Sequence, residues 1–220
     1  MSSPIKPNLK TEWFPVLLLA IAVVLSCLFH PLLPERVASH WNFSGQVDGW
    51  SSKNFHTFFF PLLLIGMYIL FLVLPYLDPK RERYQEFLPI YKIFRNLILL
   101  VLLVIYLAAS LYNIGWPINI GVVVALAIGI LMIVLGNYLG KIKNNWFLGI
   151  RTPWTLSSEN VWNKTHRLGG WLFMLFGLII IVAPWLPEIV ATVAFVFGIA
   201  LLLIGTTVYS YWLYRKERKK

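Results

Sequence analysis

Three polar residues in the second half of the chain have types and a spacing that could do chemistry: Glu159, Asn163 and His166. Residues four and three apart lie on one face of a helix, so a carboxylate, an amide and an imidazole would line up there. A histidine beside a glutamate can act as an acid–base pair or bind a metal ion. The chain has no H-E-x-x-H motif, no Ser nucleophile elbow and no Gly-rich phosphate loop, so this catalytic signal is weak.

Two other interpretations of this segment stay open. One is an amphipathic helix at the membrane interface, whose polar face meets water or lipid headgroups. The other is a polar cluster in which Arg151 joins the same three residues and holds a loop against neighbouring helix ends. Ser157 or Ser158 can cap such a helix, and Gly169-Gly170 would let the chain bend after it.

A second polar group lies in an earlier loop and consists of His40, Asp48 and His56. Two imidazoles and a carboxylate can ligate a metal ion, but this spacing matches no zinc pattern. The favoured interpretation is a compact loop with glycine turns, held at the membrane interface by its aromatic residues Trp41, Phe43 and Trp50. A surface that recognises an extracellular molecule is the remaining alternative.

The composition places both groups in a membrane protein. Of the 220 residues, 59% are hydrophobic and 13% are charged, whereas soluble domains carry about 25% charged residues. A membrane-spanning helix needs about 20 apolar residues, and six runs satisfy that length. We predict an all-α integral membrane protein whose helices cover Phe14–Leu33, Phe55–Leu77, Pro89–Tyr112, Ile118–Leu139, Leu168–Leu186 and Glu188–Trp212.

The basic residues predict the orientation. By the positive-inside rule, lysine and arginine collect in cytoplasmic loops, and 17 of the 19 such residues would lie on one side of this arrangement. Only Arg36 and Lys53 lie on the other side. Both termini and the long 140–167 loop are therefore predicted to be cytoplasmic, with the 34–54 loop outside. This charge follows the membrane flanks, so it does not indicate nucleic-acid binding.

The predicted helices contain small residues and few charges. Helix 4 has a stripe of small residues that predicts close contact with another helix: Gly121, Ala125, Gly129, Gly136 and Gly140. Lys92 and Arg95 start helix 3 and are predicted to extend to the cytoplasmic interface. A mild polar stripe follows on the same helix, at Tyr106, Ser110 and Asn113. With no proton relay or array of charges, an ion-coupled transporter is disfavoured.

The inner loop carries a family signature. The segment 145–157, NWFLGIRTPWTLS, followed by Val161-Trp162 and Thr165-His166-Arg167, resembles the signature of the SdpI family. His40-Trp41-Asn42, with Gly45 and Asp48, resembles the small membrane domain of unknown function that often precedes it. The resemblance implies two halves, 1–112 with helices 1–3 and 113–220 with helices 4–6.

The resemblance implies a bacterial, multi-pass immunity protein that is not an enzyme and needs no cofactor. Such a protein protects the membrane of the producing cell from a secreted peptide toxin. It also transduces a signal by holding a cytoplasmic repressor at the membrane. The expected partners are the toxin, the repressor and the lipid bilayer. A membrane metal-dependent hydrolase and a small-molecule transporter are the alternatives. The candidate functional residues are Arg151, Trp154, Glu159, Trp162, Asn163 and His166 inside, and His40, Asn42 and Asp48 outside.

Overall fold

The computed structural model describes residues 8–42 and 45–219. Phe43, which was predicted to lie at the membrane interface, and the terminal lysines Lys6 and Lys220 fall outside these ranges. The described elements are α1 (Leu9–Phe29), β1 (Arg36–Trp41), β2 (Val47–Ser52), α2 (Lys53–Leu77), α3 (Tyr84–Asn113), α4 (Ile120–Leu139), α5 (Pro153–Ser157), α6 (Glu159–Val182), α7 (Glu188–Ala200), a π-helical turn (Leu201–Gly205) and α8 (Thr206–Glu217).

Within residues 8–42 and 45–219, six helices are long and apolar enough to cross a membrane, which confirms the prediction of six spans. The third begins well before Pro89, at Arg81, and runs to Asn113. It is kinked at Phe87, where φ is −132° and ψ is 20°, because proline lacks an amide hydrogen and its ring displaces the preceding turn. Side-chain caps fix several helix starts, and Ser158 begins α6 by accepting a hydrogen bond from Val161 N.

The outer loop is a β-hairpin, which adds one small sheet to the predicted all-α fold. Strands β1 and β2 pair antiparallel, from Arg36 opposite Ser52 to Trp41 opposite Val47. Asn113, at the end of α3, accepts from Ala38 N at 2.7 Å and donates to Ala38 O at 3.0 Å. This pair of bonds continues the pattern of a strand, so the hairpin is held on the outer end of α3.

Helices α1, α2 and α3 form one bundle around a core that includes Ala22, Leu64 and Leu99. The polar stripe of α3 faces this bundle. Tyr106 OH lies 2.8 Å from Ser26 Oγ, and Ser110 Oγ lies 3.0 Å from His56 Nε2. These polar groups are buried, and they bond to one another because an unpaired buried polar group is costly.

Arg95 was predicted to extend to the interface, and this is wrong. Its side chain is completely buried and its Nη1 lies 2.8 Å from Glu12 Oε2. Tyr68 OH also donates to Glu12 at 3.2 Å, and Lys92 Nζ lies 3.6 Å from the other Glu12 oxygen. A buried guanidinium needs a paired charge, and a single sequence does not reveal that α1 supplies it.

Close contact between α4 and α6 organises the second half. A Cβ at Gly136 would lie 2.6 Å from the carbonyl oxygen of Gly170, and a Cβ at Gly177 would lie 2.6 Å from that of Gly129. The small-residue stripe of α4 therefore meets a matching stripe on α6. Gly170 serves this contact within a continuous helix, so the predicted bend at Gly169-Gly170 and the separate interfacial helix before it are wrong.

Candidate functional site

The inner loop, residues 140–158, folds around the side chain of Asn145, which is completely buried. Its Oδ1 accepts hydrogen bonds from Phe147 N at 2.9 Å and Leu148 N at 2.7 Å. Its Nδ2 donates to the carbonyl oxygens of Lys143 and Leu148. One asparagine thus uses both ends of its amide to close the turn, which is why this residue type suits the position.

Gly149 brings the loop backbone onto His166 of α6. Its φ is +101°, a conformation that side chains disfavour, and a Cβ there would overlap His166 Nε2. The next amide, Ile150 N, donates to His166 Nε2 at 2.9 Å. The Gly-Ile pair of the signature therefore lets the loop donate a backbone hydrogen bond to a buried histidine.

Hydrogen bonds to two backbone groups fix the protonation state of the His166 ring. Its Nδ1 lies 2.8 Å from the carbonyl oxygen of Trp162, while Nε2 accepts from Ile150. A carbonyl oxygen only accepts, so the proton is on Nδ1 and the ring is neutral. Both ring nitrogens are occupied, and the imidazole works as a brace for the loop.

Trp162 fixes the beginning of the same loop. Its indole is completely buried and Nε1 donates to the carbonyl oxygen of Ile142 at 2.8 Å. Its ring stacks on His166, with centroids 3.9 Å apart and an interplanar angle of 21°. Two adjacent rings on α6 thus hold both ends of the turn around Asn145.

The short helix α5 connects the loop to α8. Thr152 and Thr155 form a capping box, in which each side chain bonds to the other residue's backbone. Thr152 Oγ1 also lies 3.0 Å from Ser210 Oγ of α8. Trp154 packs on Tyr211, with ring centroids 5.0 Å apart. The loop therefore contacts α6 and α8 at once.

Asp78, between α2 and α3, brings the first half of the chain into the site. Its buried carboxylate accepts from Trp146 N at 2.9 Å and from Tyr84 OH at 3.1 Å. Lys80 Nζ adds a bond to Asn144 Oδ1. Asp78 was not among the predicted site residues, and an aspartate followed by proline at a helix end is the only local signal for it in the sequence.

The predicted inner residues do not come together as one cluster. Glu159 pairs with Arg83, and Arg151 donates to the carbonyl oxygen of Trp146 at 2.8 Å. Asn163 is exposed, whereas His166 is completely buried. The inner loop covers α6 at His166, about one helical turn after Asn163. The face that carries both residues is therefore buried at His166 and exposed at Asn163.

The structure brings two of the predicted outer residues together. His40 Nδ1 lies 2.5 Å from Asp48 Oδ1 on the exposed face of the hairpin, and Asn42 Oδ1 accepts from Gln46 N at 2.9 Å in its turn. His56 is buried between α2 and α3, so the three side chains that were considered as metal ligands do not meet. Among residues 8–42 and 45–219, no three His, Cys, Asp or Glu side chains are grouped to hold a metal ion.

Two separate regions of the chain match known protein families. Residues 141–210 match the SdpI/YfhL protein family, and residues 17–65 match a domain of unknown function (DUF1648). The chain is 25% identical over 208 residues to Immunity protein SdpI of Bacillus subtilis (strain 168), covering 94% of this chain and 98% of that protein. No solved structure matches. The chain is a multi-pass bacterial membrane protein that is similar to Immunity protein SdpI over nearly its whole length, and its inner loop lies within the region that matches the SdpI/YfhL protein family.

Proposed function

We propose that this protein is a membrane immunity protein that protects the bacterium from a secreted antimicrobial peptide. The observation that carries the proposal is the similarity to an immunity protein over 94% of this chain and 98% of the relative, which includes both matched regions. A non-catalytic role fits the inner site, because both nitrogens of His166 are bonded to the backbone.

We infer the orientation from the charge distribution along the folded chain. The inner loop, the α2–α3 connection and the end of α8 carry most of the lysines and arginines, and they meet at one end of the helices. The hairpin lies at the other end. By the positive-inside rule the inner loop and both termini are cytoplasmic, and the hairpin faces the secreted toxin.

Helix α3 is the proposed connection between the two faces. Its outer end holds the hairpin through Asn113, and its first residue, Tyr84, donates to Asp78, which accepts from the inner loop. A toxin that moves the hairpin therefore acts on one end of a helix whose other end contacts the signature loop. A helix that contacts the hairpin at one end and Asp78 at the other is a physical basis for signal transduction across the bilayer.

The inner loop is the proposed docking surface for a cytoplasmic repressor. Trp146 is 49% exposed although its backbone amide is fixed by Asp78, and the exposed Arg151 lies on the same turn through its bond to Trp146 O. Exposed tryptophan and arginine are the residue types that dominate protein interfaces.

The test is survival. A toxin-sensitive bacterium that expresses this protein should grow in peptide concentrations that stop cells carrying an empty vector. Asn113→Ala should lower protection, because it frees the hairpin. Asn119→Ala removes a comparable asparagine bond, a cap on α4, and should retain protection at equal membrane abundance. Unchanged survival with the wild-type protein would show that it does not protect against that peptide.

The signalling step has a separate test. The repressor of the toxin-induced immunity genes, fused to a fluorescent protein, should move to the membrane when toxin is added to cells with the wild-type protein. Trp146→Ala and Arg151→Ala should each reduce this movement without reducing membrane abundance. A repressor that stays in the cytoplasm in wild-type cells would refute sequestration and leave the immunity proposal standing.

A further inference from the structure

Two adjoining cavities lie beside α6 and the last membrane span. The first has a volume of about 590 Å³ and apolar walls that include Leu168, Phe197, Ile204 and Val208. The second, of about 380 Å³, has a mixed lining that includes the charged residues Lys164, Lys216 and Glu217. Tyr209 and Trp212 line both cavities. Together they form one amphipathic groove, apolar at one end and charged at the other.

The backbone of the last span keeps the groove open. The π-helical turn Leu201–Gly205 forms part of its wall, and Gly205 contributes no side chain there. Phe197, Ile204 and Val208 are each more than half exposed. Single π turns within α-helices are frequent at functional sites, and here the turn separates α7 from α8 within one membrane span.

The dimensions of the groove correspond to one bilayer leaflet. Phe197 and Trp212 are 15 residues apart, which is about 22 Å at the helical rise. Half of the hydrocarbon core measures about 15 Å, and headgroups extend beyond it. Tyr209 and Trp212 lie at the junction of the two cavities, and these amphipathic side chains prefer the level of the headgroups.

The charged end of the groove favours an anion. Lys164 and Lys216 are both exposed, and Lys216 Nζ lies 5.1 Å above the ring of Trp212. Glu217 is the opposing charge in this cavity. Its carboxylate accepts hydrogen bonds from Ser158 Oγ at 2.8 Å and from Asn160 Nδ2. It remains an anion within electrostatic reach of Lys164, so the two lysines and the glutamate together carry a net charge of +1.

We propose that this groove binds an anionic phospholipid of the inner leaflet, with an acyl chain along Phe197 and Ile204 and the phosphate at Lys164 and Lys216. The contiguous apolar and basic surfaces fit a lipid better than a free phosphate or a wholly apolar helix. This site needs only the membrane location of the chain and does not depend on the immunity proposal.

The test measures lipid binding to the purified full-length protein by native mass spectrometry in detergent. Phosphatidylglycerol should bind more tightly than phosphatidylcholine with the same acyl chains. Each lysine near an anionic headgroup contributes about five-fold in affinity, so Lys164→Gln with Lys216→Gln should reduce the preference on the order of 20- to 30-fold. Lys10→Gln with Lys141→Gln changes the net charge equally on the same side, outside the groove, and should keep the preference.

A second pair of variants tests the apolar end. Ala200→Phe places a ring in the groove and should weaken binding of both lipids, whereas Ala191→Phe, away from the groove, should not. Excess glycerol 3-phosphate should not compete. The proposal is wrong if the wild-type protein binds both lipids equally, if the Lys10/Lys141 control loses the preference as well, or if glycerol 3-phosphate displaces the lipid. A dimer that Ala200→Phe dissociates would instead assign the groove to a second copy of the chain.

Discussion

Replacing Gly149 with alanine should release the inner loop from α6. Gly149 has a φ of +101°, and His166 Nε2 occupies the space that a Cβ at this position would need. An unfavourable backbone conformation costs roughly 1–3 kcal/mol. Displacing the imidazole breaks its bond from Ile150 N, and leaving this partly buried donor unpaired costs about 1–3 kcal/mol more.

These two contributions give about 2–6 kcal/mol against the docked loop. Even the lower figure changes the ratio of docked to free loop by about 30-fold. Hydrogen exchange followed by mass spectrometry is the assay, because the amide of Ile150, in the segment 147–150, is bonded to α6 only while the loop is docked. Peptides covering this segment should exchange much faster in Gly149→Ala, and peptides from α4 should not change.

Gly115 provides the matched control, since its φ is +94° but nothing lies within 4 Å of a Cβ there. Gly115→Ala carries the same kind of backbone cost without the steric overlap, so its effect should be smaller and confined to the α3–α4 turn. Equal effects of the two substitutions would refute the role assigned to the Gly149–His166 contact. His166→Ala should make Gly149→Ala less costly, because the overlapping ring is then absent.

Three further predictions concern other contacts. Asp78→Ala should lower the melting temperature and speed exchange in the inner loop, because it leaves a loop amide and a tyrosine hydroxyl unpaired, at about 1–3 kcal/mol each; Asp78→Asn, which keeps an acceptor, should lose less. Glu12→Gln should destabilise the protein by roughly 3–5 kcal/mol in denaturant unfolding, since it leaves Arg95 buried without a counter-charge. Single cysteines at Ser39 and Ser157 should react with membrane-impermeant reagents from opposite sides of the membrane.

Each of these predictions has an outcome that contradicts it. Unchanged loop exchange in Asp78→Ala would mean that the α2–α3 connection does not hold the signature loop. If Glu12→Gln with Arg95→Met is less stable than Glu12→Gln alone, the charge pair is not the reason for the loss. Labelling of Ser39 and Ser157 from the same side would overturn the proposed orientation.

The spans and the close approach of helices could be predicted from the sequence because both depend on local residue type. Runs of about 20 apolar residues satisfy the bilayer wherever they occur. The stripe containing Gly129 and Gly136 indicates a contact whatever the partner, although only the structure identifies that partner as α6. The outer hairpin was missed because the predominance of apolar helices and the turn residues around Gly45 suggested only a loop.

The inner site depended on contacts between distant segments. Helical spacing grouped Glu159, Asn163 and His166, and that spacing is correct for α6. Of these three residues only His166 is buried, because the inner loop crosses over it at Ile150, 16 residues earlier in the sequence. Asp78 lies 68 residues from the amide it accepts, so its role had no local signature.

By itself the sequence determined a six-span membrane protein, the small-residue stripe of α4 and the segment that carries the family signature. Each of these properties depends on residue types that lie close together in the chain, so the sequence alone is enough to recognise it. Tertiary structure alone decided which polar residues are buried and what they contact: His166 with Ile150, Arg95 with Glu12 and Asn113 with Ala38. The physical reason is that a buried polar group requires a partner, and the fold, rather than sequence proximity, supplies it.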